Sequence, residues 1–384
     1  MNRKLLFFIA IALGLAICQP LLADDRPRAR DIGLAPGVLP TGELNAITDV
    51  EGVRVGHVSL VSGEDIRTGV TAVLPHEGNL FRAKVPAAVY TANGFGKAAG
   101  FEQVRELGAL ESPILLTNTL SVGTAVQAGV RWTLDQEDNE DVRSVNVVVG
   151  ETNDGYLNEI RDQSIRPQHV FSAIESAEGG LVAEGNVGAG TGTRALGWKA
   201  GIGTASRTLP ATLGGHTVGI LVQSNFGGVL TMDGLRVGER LGNYRFRDEL
   251  ETGLELDLAP EAEAGSIMII IATDAPVSER NLERMAKRAP LGIGRVGGFM
   301  SNGSGDFVVA FSNAQRIDHD SPASGRSREV LPDRAMDPLF MAVVEATEEA
   351  ILNSLLKAES MTGRDGHHME AIPVEAVKEM VDER

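Results

Sequence analysis

A glycine followed by a serine opens one of the most apolar stretches of the chain. Gly265-Ser266 precedes the run Ile-Met-Ile-Ile-Ile at 267–271, and four carboxylates lie between residues 255 and 263. A free α-amine has a pKa near 7.7–8.0, so an N-terminal Ser266 could use its own amine as the general base for its hydroxyl. Attack of that hydroxyl on the Gly265 carbonyl, an N-to-O acyl shift and hydrolysis of the ester would create this terminus. A turn leading into a buried strand is the simpler interpretation of the same residues.

Other groups that commonly perform catalysis lack their usual sequence context. The seven histidines form no H-E-x-x-H pair, and the only cysteine is Cys18. The glycine-rich stretch 188–192 lacks a P-loop lysine, and G-x-G-x-x-G at 292–297 follows a helical pattern rather than a strand. No serine lies in G-x-S-x-G, and Ser354 in S-x-x-K lies on an amphipathic helical pattern without companion motifs. A Ser-His-Asp triad built from distant residues stays open, but we expect no metal, thiol or nucleotide chemistry.

Strand-like and helix-like patterns alternate along the chain and must position Ser266. Short apolar, β-branched segments predict strands at 70–74, 87–91, 114–117, 145–149, 199–206, 218–223, 267–272 and 307–311. Apolar residues at helical spacing predict helices at 97–107, 122–134, 278–288 and 338–357, with Ser278 as an N-cap. Residues 245–265 are charged and without apolar period, which predicts an exposed loop suited to cleavage. We expect one α/β domain.

Charge and the N-terminus indicate where the protein works. The formal net charge of −17 over 384 residues argues against nucleic acid or an anionic membrane as a partner. Arg3 and Lys4 precede an apolar run at 5–17, and Ala23 offers a small residue for signal-peptide cleavage. That run is too short for a comfortable membrane span. We expect residues 1–23 to be a signal peptide, residues 24–45 to form an extended arm, and the mature protein to be periplasmic or secreted.

Five spaced stretches together resemble the L-aminopeptidase D-esterase/amidase family, which includes the β-peptidyl aminopeptidases. They are NAITDVEGVRVGH (45–57), NVGAGTGT (186–193), VQSNFGG (222–228), GSIMIIIATDAP (265–276) and SNGSGDFVVAFS (301–312). The resemblance implies a four-layer αββα sandwich, like that of the N-terminal-nucleophile hydrolases but with different connectivity. It also implies self-cleavage into residues 24–265 and 266–384, which stay associated, and assembly as a tetramer of heterodimers. Members need no metal or other cofactor, and they remove N-terminal residues from short peptides, amides or esters, some of them D- or β-residues.

The same resemblance implies roles for individual residues. Ser266 matches the nucleophile, with its freed amine as the base. Ser304 and Asp306 in NGSGD match a serine and an acid that orient this amine and hold the substrate ammonium. Some members have glutamate where this chain has Asp306, so the shorter side chain leaves the distance to the amine open. Asn225 in QSNFGG matches the residue that donates to the oxyanion.

Two further polar residues are candidates for the substrate pocket. Tyr156 in NDGYLNE offers a second polar contact to the substrate, or it is a core or interface tyrosine. Asn118 in TNTLSVG shapes the pocket or caps the helix predicted at 122–134. Without the family, Asn225 is equally a turn asparagine, and NGSGD is a turn into the strand at 307–311.

Three functions compete at this point. The first is an exported, self-cleaving serine aminopeptidase or amidase that forms an acyl-enzyme on Ser266. The second is a processed acyltransferase similar to ornithine acetyltransferase, but that family uses threonine at the new terminus. The third is an unprocessed periplasmic binding protein in which Gly265-Ser266 is a turn. A fragment that begins at Ser266 would separate the first two from the third.

Overall fold

The computed structural model describes residues 26–253, 265–321 and 327–384. The expected signal peptide (1–23) and residues 254–264 of the predicted loop lie outside the described residues. The strands are β1 Arg54–Ser62, β2 Ile66–Leu74, β3 Ala83–Gly94, β4 Ala109–Leu110, β5 Ile114–Asn118, β6 Val148–Thr152, β7 Arg194–Ala195, β8 Trp198–Lys199, β9 Ile202–Thr208, β10 Thr217–Asn225, β11 Gly265–Thr273, β12 Ser304–Ser312, β13 Ile317–Asp318, β14 Met361–Thr362 and β15 His368–Met369. The helices are α1 Phe101–Leu107, α2 Val122–Leu134, α3 Pro167–Glu175, α4 Val237–Arg240, α5 Arg247–Thr252, α6 Glu279–Ala286, α7 Ala289–Arg295, α8 Asp337–Leu356 and α9 Val374–Asp382. None of these helices is long and apolar enough to cross a membrane.

Two sheets carry most of these strands. The smaller sheet has the order β1-β2-β5-β6, and the larger has the order β13-β3-β12-β11-β10-β9, with β4 added beside β3. Most neighbours are antiparallel, but β5 pairs parallel with β6 and β11 pairs parallel with β12. Strand β11 therefore lies inside the larger sheet, with β10 on one edge and β12 on the other.

Three apolar clusters separate four layers. Alternation along β11 sends Ile267, Ile269 and Ile271 into a cluster shared with α6, α7 and α8, whereas Met268 and Ile270 enter a second cluster between the two sheets. A third cluster packs α2 and α3 on the outer face of the smaller sheet. Because β11 is covered on both faces, its sequence is a continuous apolar run rather than an alternation. The expected αββα sandwich is thereby confirmed.

Close backbone contacts explain two differences from the sequence prediction. The helix predicted at 97–107 begins only at Phe101, since Gly100 has φ +78° and a Cβ there would lie 2.5 Å from the Val147 carbonyl. The strand predicted at 199–206 is interrupted at Gly201, where a Cβ would lie 1.8 Å from the Gly185 carbonyl. Only glycine permits these approaches, and each one ends a regular element.

The predicted loop 245–265 is not loop throughout. It contains the short helix α5, whose Arg247 and Glu251 form an i,i+4 ion pair at 3.0 Å. The helix ends at Gly253, which has a positive φ of +69°. The charges that favoured a solvated loop are therefore partly helix-surface pairs.

A buried ionic network joins the N-terminal arm, β9 and α8. Arg207 on β9 is fully buried; its Nε lies 3.2 Å from Glu345 Oε2, and its Nη2 lies 2.8 Å from Glu349 Oε2. Arg30 binds the same Glu349 carboxylate, with Nε–Oε1 at 2.8 Å and Nη2–Oε2 at 2.9 Å. The Glu345 carboxylate also accepts the N–H of Leu39 at 3.0 Å. The arm thus reaches across to a helix that follows residue 265.

We expect Glu349→Ala to destabilise the fold by about 3–5 kcal/mol, because removing one partner leaves buried guanidinium charge uncompensated. Chemical denaturation followed by circular dichroism measures this loss. Asp135→Ala is the matched control, since Asp135 pairs with Arg131 on the surface of α2 and exposed pairs contribute little. Equal unfolding free energies for the two variants would show that the network does not hold the arm.

Candidate active site

The start of β11 lies where the ends of strands from both sheets meet. Ser266 is opposite Asn225, the last residue of antiparallel β10, and beside Gly305 at the start of parallel β12. The facing sheet approaches the same edge with the carboxyl ends of β5 and β6. Gln223 on β10 connects the two sheets there, because its Nε2 donates to Thr152 Oγ1 at the end of β6 at 2.8 Å. The parallel pairs in both sheets therefore bring polar strand ends to one place.

Ser266 is buried and held against the peptide bond that precedes it. Its side chain is on the face between the sheets, and its hydroxyl donates to the Gly265 carbonyl oxygen. A Cβ at Gly305 would lie 3.3 Å from Ser266 Oγ and 2.8 Å from the Phe95 carbonyl. Glycine at 305 therefore leaves the space beside the hydroxyl open.

Ser304 and Asp306 form a buried hydroxyl–carboxyl pair on the other face of the sheet. The Ser304 hydroxyl donates to Asp306 Oδ1 at 2.6 Å, and Asp306 Oδ2 is buried without a hydrogen-bond partner among the described residues. Burial raises the Asp306 pKa from 3.8 to about 6, partly opposed by the Ser304 hydrogen bond. The strand register places Ser304 beside Gly265 and Asp306 beside Ile267. The pair thus flanks the backbone at the Gly265–Ser266 bond rather than the Ser266 hydroxyl.

Asn225 is oriented by two hydrogen bonds. Its Nδ2 donates to the Asn153 carbonyl at 3.0 Å, and its Oδ1 accepts from the Arg194 backbone N–H at 3.2 Å. An amide nitrogen has two N–H groups, and the Asn153 carbonyl takes up one of them, so a second remains for another acceptor. The side chain is buried, which strengthens its electrostatic interaction with any negative charge that it contacts.

Tyr156 belongs to a stack at the edge of the site. Its ring lies parallel to the His367 ring with centroids 4.7 Å apart, and the Arg194 guanidinium lies 3.9 Å from the Tyr156 centroid. The His367 Nδ1 is also 2.8 Å from the Tyr156 carbonyl. Tyr156 is therefore linked to Asn225 through Arg194, and among the described residues the Ser266 hydroxyl bonds to the Gly265 carbonyl rather than to Tyr156.

Asn118 serves the frame of the smaller sheet. Its Nδ2 donates to Thr68 Oγ1 at 2.8 Å, and its Oδ1 accepts the Leu120 N–H at 3.2 Å, in the turn before α2. Its amide also helps to lower the pKa of the buried Asp154, which desolvation raises to about 7. The structure does not bring Asn118 into contact with Ser266 among the described residues.

The sequence analysis missed a second carboxylate near the nucleophile. Glu151 is buried at the end of β6, accepts the Lys97 backbone N–H at 2.9 Å, and has a pKa raised by burial. A Cβ at Gly96 would lie 2.8 Å from Glu151 Oε1 and 3.0 Å from the Phe307 ring. The same ring edge borders Gly305 and hence Ser266. An acid two residues after the strand predicted at 145–149 is the signal that points to it.

Asn153 and Arg194 were also missed, and for a physical reason. Asn153 acts through its backbone carbonyl, which any residue carries. Arg194 lies in a two-residue strand that no apolar pattern marks. Their place beside Asn225 follows only from the packed loops.

The chemistry available here is that of a hydroxyl, an amide donor and carboxylates. No histidine hydrogen-bonds to Ser266 within the described residues, and those residues contain no cluster of three or more His, Cys, Asp or Glu suited to a metal ion. The hydroxyl instead faces the carbonyl of its own preceding residue.

Known proteins are similar to this chain over nearly its whole length. Residues 45–369 match peptidase family S58. The chain is 41% identical over 378 residues to the β-peptidyl aminopeptidase BapA of Sphingosinicella microcystinivorans, covering 95% of this chain and 94% of that protein. It is 38% identical to a solved Burkholderia sp. β-aminopeptidase, with a TM-score of 0.83 and coverage of 93% and 99% of the two chains.

A third similarity bears on the fold and its chemistry. The solved L-aminopeptidase D-Ala-esterase/amidase of Ochrobactrum anthropi is 36% identical, has a TM-score of 0.83, and covers 93% of this chain and 99% of that chain. It is described as a prototype for the serine aminopeptidases and a new variant of the Ntn hydrolase fold. The resemblance inferred from the five motifs is confirmed. This chain belongs to peptidase family S58 and is a serine aminopeptidase.

Proposed function

We propose that the chain cleaves itself between Gly265 and Ser266 and that Ser266 is then its N-terminal nucleophile. The observation that carries this proposal is the contact of the Ser266 hydroxyl with the Gly265 carbonyl at a buried strand start. A strand held by pairing on both edges keeps the two reacting groups together, and such positioning contributes strongly to rate.

Self-cleavage needs no group from outside the chain except water. The Ser266 Oγ attacks the Gly265 carbonyl carbon, and the free N–H of Asn225 stabilises the oxyanion. When the tetrahedral intermediate collapses, the C–N bond breaks and an ester joins Gly265 to Oγ. The Ser266 nitrogen takes up the proton that the hydroxyl gave up. Water hydrolyses this ester, which leaves a carboxylate on Gly265 and a free amine on Ser266.

Turnover repeats the same steps on a substrate. The Ser266 amine accepts the hydroxyl proton, Oγ attacks the scissile carbonyl, and the amine returns the proton to the leaving group. Water then releases the acyl group. The Asp306 carboxylate, supported by Ser304, has a buried oxygen without a partner, which suits it to orient the new amine and hold the substrate ammonium.

The two fragments stay together in this proposal. Strand β11 is paired with β10 from the first fragment and with β12 from the second. The network of Arg30 and Arg207 with α8 also crosses the cut. We further propose the assembly implied by the resemblance, a tetramer of heterodimers, and export to the periplasm or beyond.

The substrate class follows from the relatives and the site. We propose short peptides, amides or esters with a free N-terminal amine, including β- or D-residues, because the relatives are β-peptidyl aminopeptidases and an L-aminopeptidase D-Ala-esterase/amidase. Hydrolysis of the p-nitroanilides of L-, D- and β-alanine compares the three residue types.

We expect the purified protein to run as two fragments on a denaturing gel, with Edman sequencing of the second beginning Ser-Ile-Met-Ile. Ser266→Ala should give one intact chain without p-nitroanilide activity, because both reactions lose their nucleophile. The exposed serine variant Ser360→Ala should be cleaved and active like the natural protein. A natural chain that remains intact would exclude this mechanism.

Asn225→Ala should lower kcat by roughly 100- to 1000-fold with little change in KM, as expected for the loss of one oxyanion donor. Steady-state assays on the preferred p-nitroanilide measure this split. Asn186→Ala, which removes an amide that only bridges to the Glu359 backbone, is the matched control. A loss in kcat below tenfold would assign Asn225 to the turn alone.

The Asp306 carboxyl should make the uncleaved chain less stable as pH rises. Because its folded pKa of about 6 exceeds its unfolded value of 3.8, the folded chain binds more protons between these values, and its unfolding free energy falls from pH 4 to pH 6 by roughly 2–3 kcal/mol. In the Ser266→Ala background, Asp306→Asn removes this loss. Urea unfolding between pH 4 and pH 7 gives the unfolding free energy of Ser266→Ala with and without Asp306→Asn. As pH rises, the variant with asparagine should become the more stable of the two relative to its position at pH 4. A pH-independent difference would contradict a buried, uncompensated carboxyl.

A further inference from the structure

A cavity of about 390 Å³ opens beside Gly265, on the β10 side of the nucleophile. Its walls include Arg194 and Arg245, the aromatic rings of Phe226, Tyr244, Phe246 and Phe299, and no aspartate or glutamate among the described residues. A cavity with Arg194 and several aromatic rings in its wall fits an anion attached to an apolar or planar group.

Arg194 is the cation that points to a ligand. Among the described residues its guanidinium rests on the Tyr156 ring, 3.9 Å from the centroid, and no carboxylate lies within 4.0 Å of it. Burial lowers its pKa, and the nearby Arg245 charge lowers it further. Arginine fits a carboxylate through two parallel N–H donors, so the fixed planar group is prepared for such a partner.

The position of Arg194 relates it to the scissile bond. Its backbone N–H donates to Asn225 Oδ1 at 3.2 Å, so the residue starts at the proposed oxyanion donor. In a dipeptide the leaving amino acid carries its carboxylate within one residue length of the scissile bond, roughly 3.5 Å. Arg194 begins beside the proposed oxyanion donor, so a carboxylate at this distance from the scissile bond is within the reach of its side chain.

Charges are separated across the nucleophile. Asp306 and Glu151 lie on the side of β12, whereas Arg194 lies on the side of β10, and both strands flank β11. A free dipeptide has the same polarity, with an ammonium at one end and a carboxylate at the other. If the dipeptide bound in the reverse direction, with its acyl residue beside Arg194, its ammonium would lie next to another positive charge.

We propose that this cavity is the leaving-group subsite and that Arg194 binds the free α-carboxylate of the departing amino acid. This rests on the proposed function, and it makes the enzyme selective for dipeptides with a free C-terminus over amidated dipeptides. The Tyr156 ring, which stacks on His367, holds the Arg194 guanidinium over its face.

The test compares three substrates that share one acyl group, the alanine isomer that the enzyme prefers. They are its dipeptide with glycine as the free acid, the same dipeptide as the C-terminal amide, and its p-nitroanilide. For the natural enzyme we expect kcat/KM for the acid to exceed that for the amide by roughly 10- to 100-fold, the range of a charge-assisted pair.

Arg194→Met keeps the length and packing of the side chain but removes its charge. It should reduce kcat/KM for the acid roughly 10- to 100-fold more than kcat/KM for the amide or the p-nitroanilide, so that acid and amide become equal. Arg194→Lys should retain part of the preference, since the charge remains without the planar fork. Arg236→Met, which removes an exposed arginine, should keep the full preference.

Because the readout is a ratio of substrates, a partly misfolded variant does not alter it. A natural enzyme that hydrolyses acid and amide equally, or an Arg194→Met variant that loses all three substrates by one factor, overturns the assignment. An enzyme that cleaves none of the three, or a chain that stays intact, overturns the proposed function and this assignment with it. Normal p-nitroanilide hydrolysis without acid preference overturns only the subsite.

Discussion

Everything at the site depends on the first two residues of β11 being fixed from both edges. A strand start is normally free to fray, yet Gly265 and Ser266 are already in register with β12, and Ser266 is paired with the end of β10. The apolar residues that follow fill the cores on both faces of the sheet, so shifting the strand would expose them. The energy of core packing thereby holds a hydroxyl against one carbonyl.

The same constraint divides the surroundings of the bond into two sides. Alternation in β11 and β12 sends the Ser266 side chain between the sheets and Asp306 to the opposite face. A carboxyl on that face cannot take the hydroxyl proton, but it can hold an amine that leaves the backbone there. In the proposed mechanism Asp306 therefore acts on Ser266 through the freed amine, which would serve as the base in place of an imidazole.

Sequence patterns located the framework better than the site. Continuous apolar runs marked β10, β11 and β12, and Ser278 caps α6 as predicted, accepting the Asn281 N–H at 3.3 Å. Two of the boundaries that differ lie at Gly100 and Gly201, where distant backbone approaches decide the conformation.

The site residues likewise divide into those predicted from neighbouring residues and those that were not. Ser266 could be reached from its own neighbours, whereas the roles of Asn225, Ser304 and Asp306 came from the resemblance and stay predictions. Arg194 carried no readable pattern, because its importance arises from which loop packs on which strand. Chemistry that acts along one peptide is visible in a sequence; chemistry assembled across two sheets is not.

Using one set of residues for cleavage and turnover has a structural consequence. In the described structure the Gly265 carbonyl lies against the Ser266 hydroxyl, where the proposed mechanism places the carbonyl of a substrate. Under that proposal, cutting the bond would free the amine and also vacate this place, so the uncleaved chain would lack both the base and the substrate space. Glycine at 265 brings no side chain to this place, and a Cβ there would lie 3.5 Å from Ser304 Oγ and 3.4 Å from Phe226 Cα, in ordinary contact. A Cβ at 265 therefore meets no steric barrier from these neighbours, so the packing of the strand does not itself require glycine at this position.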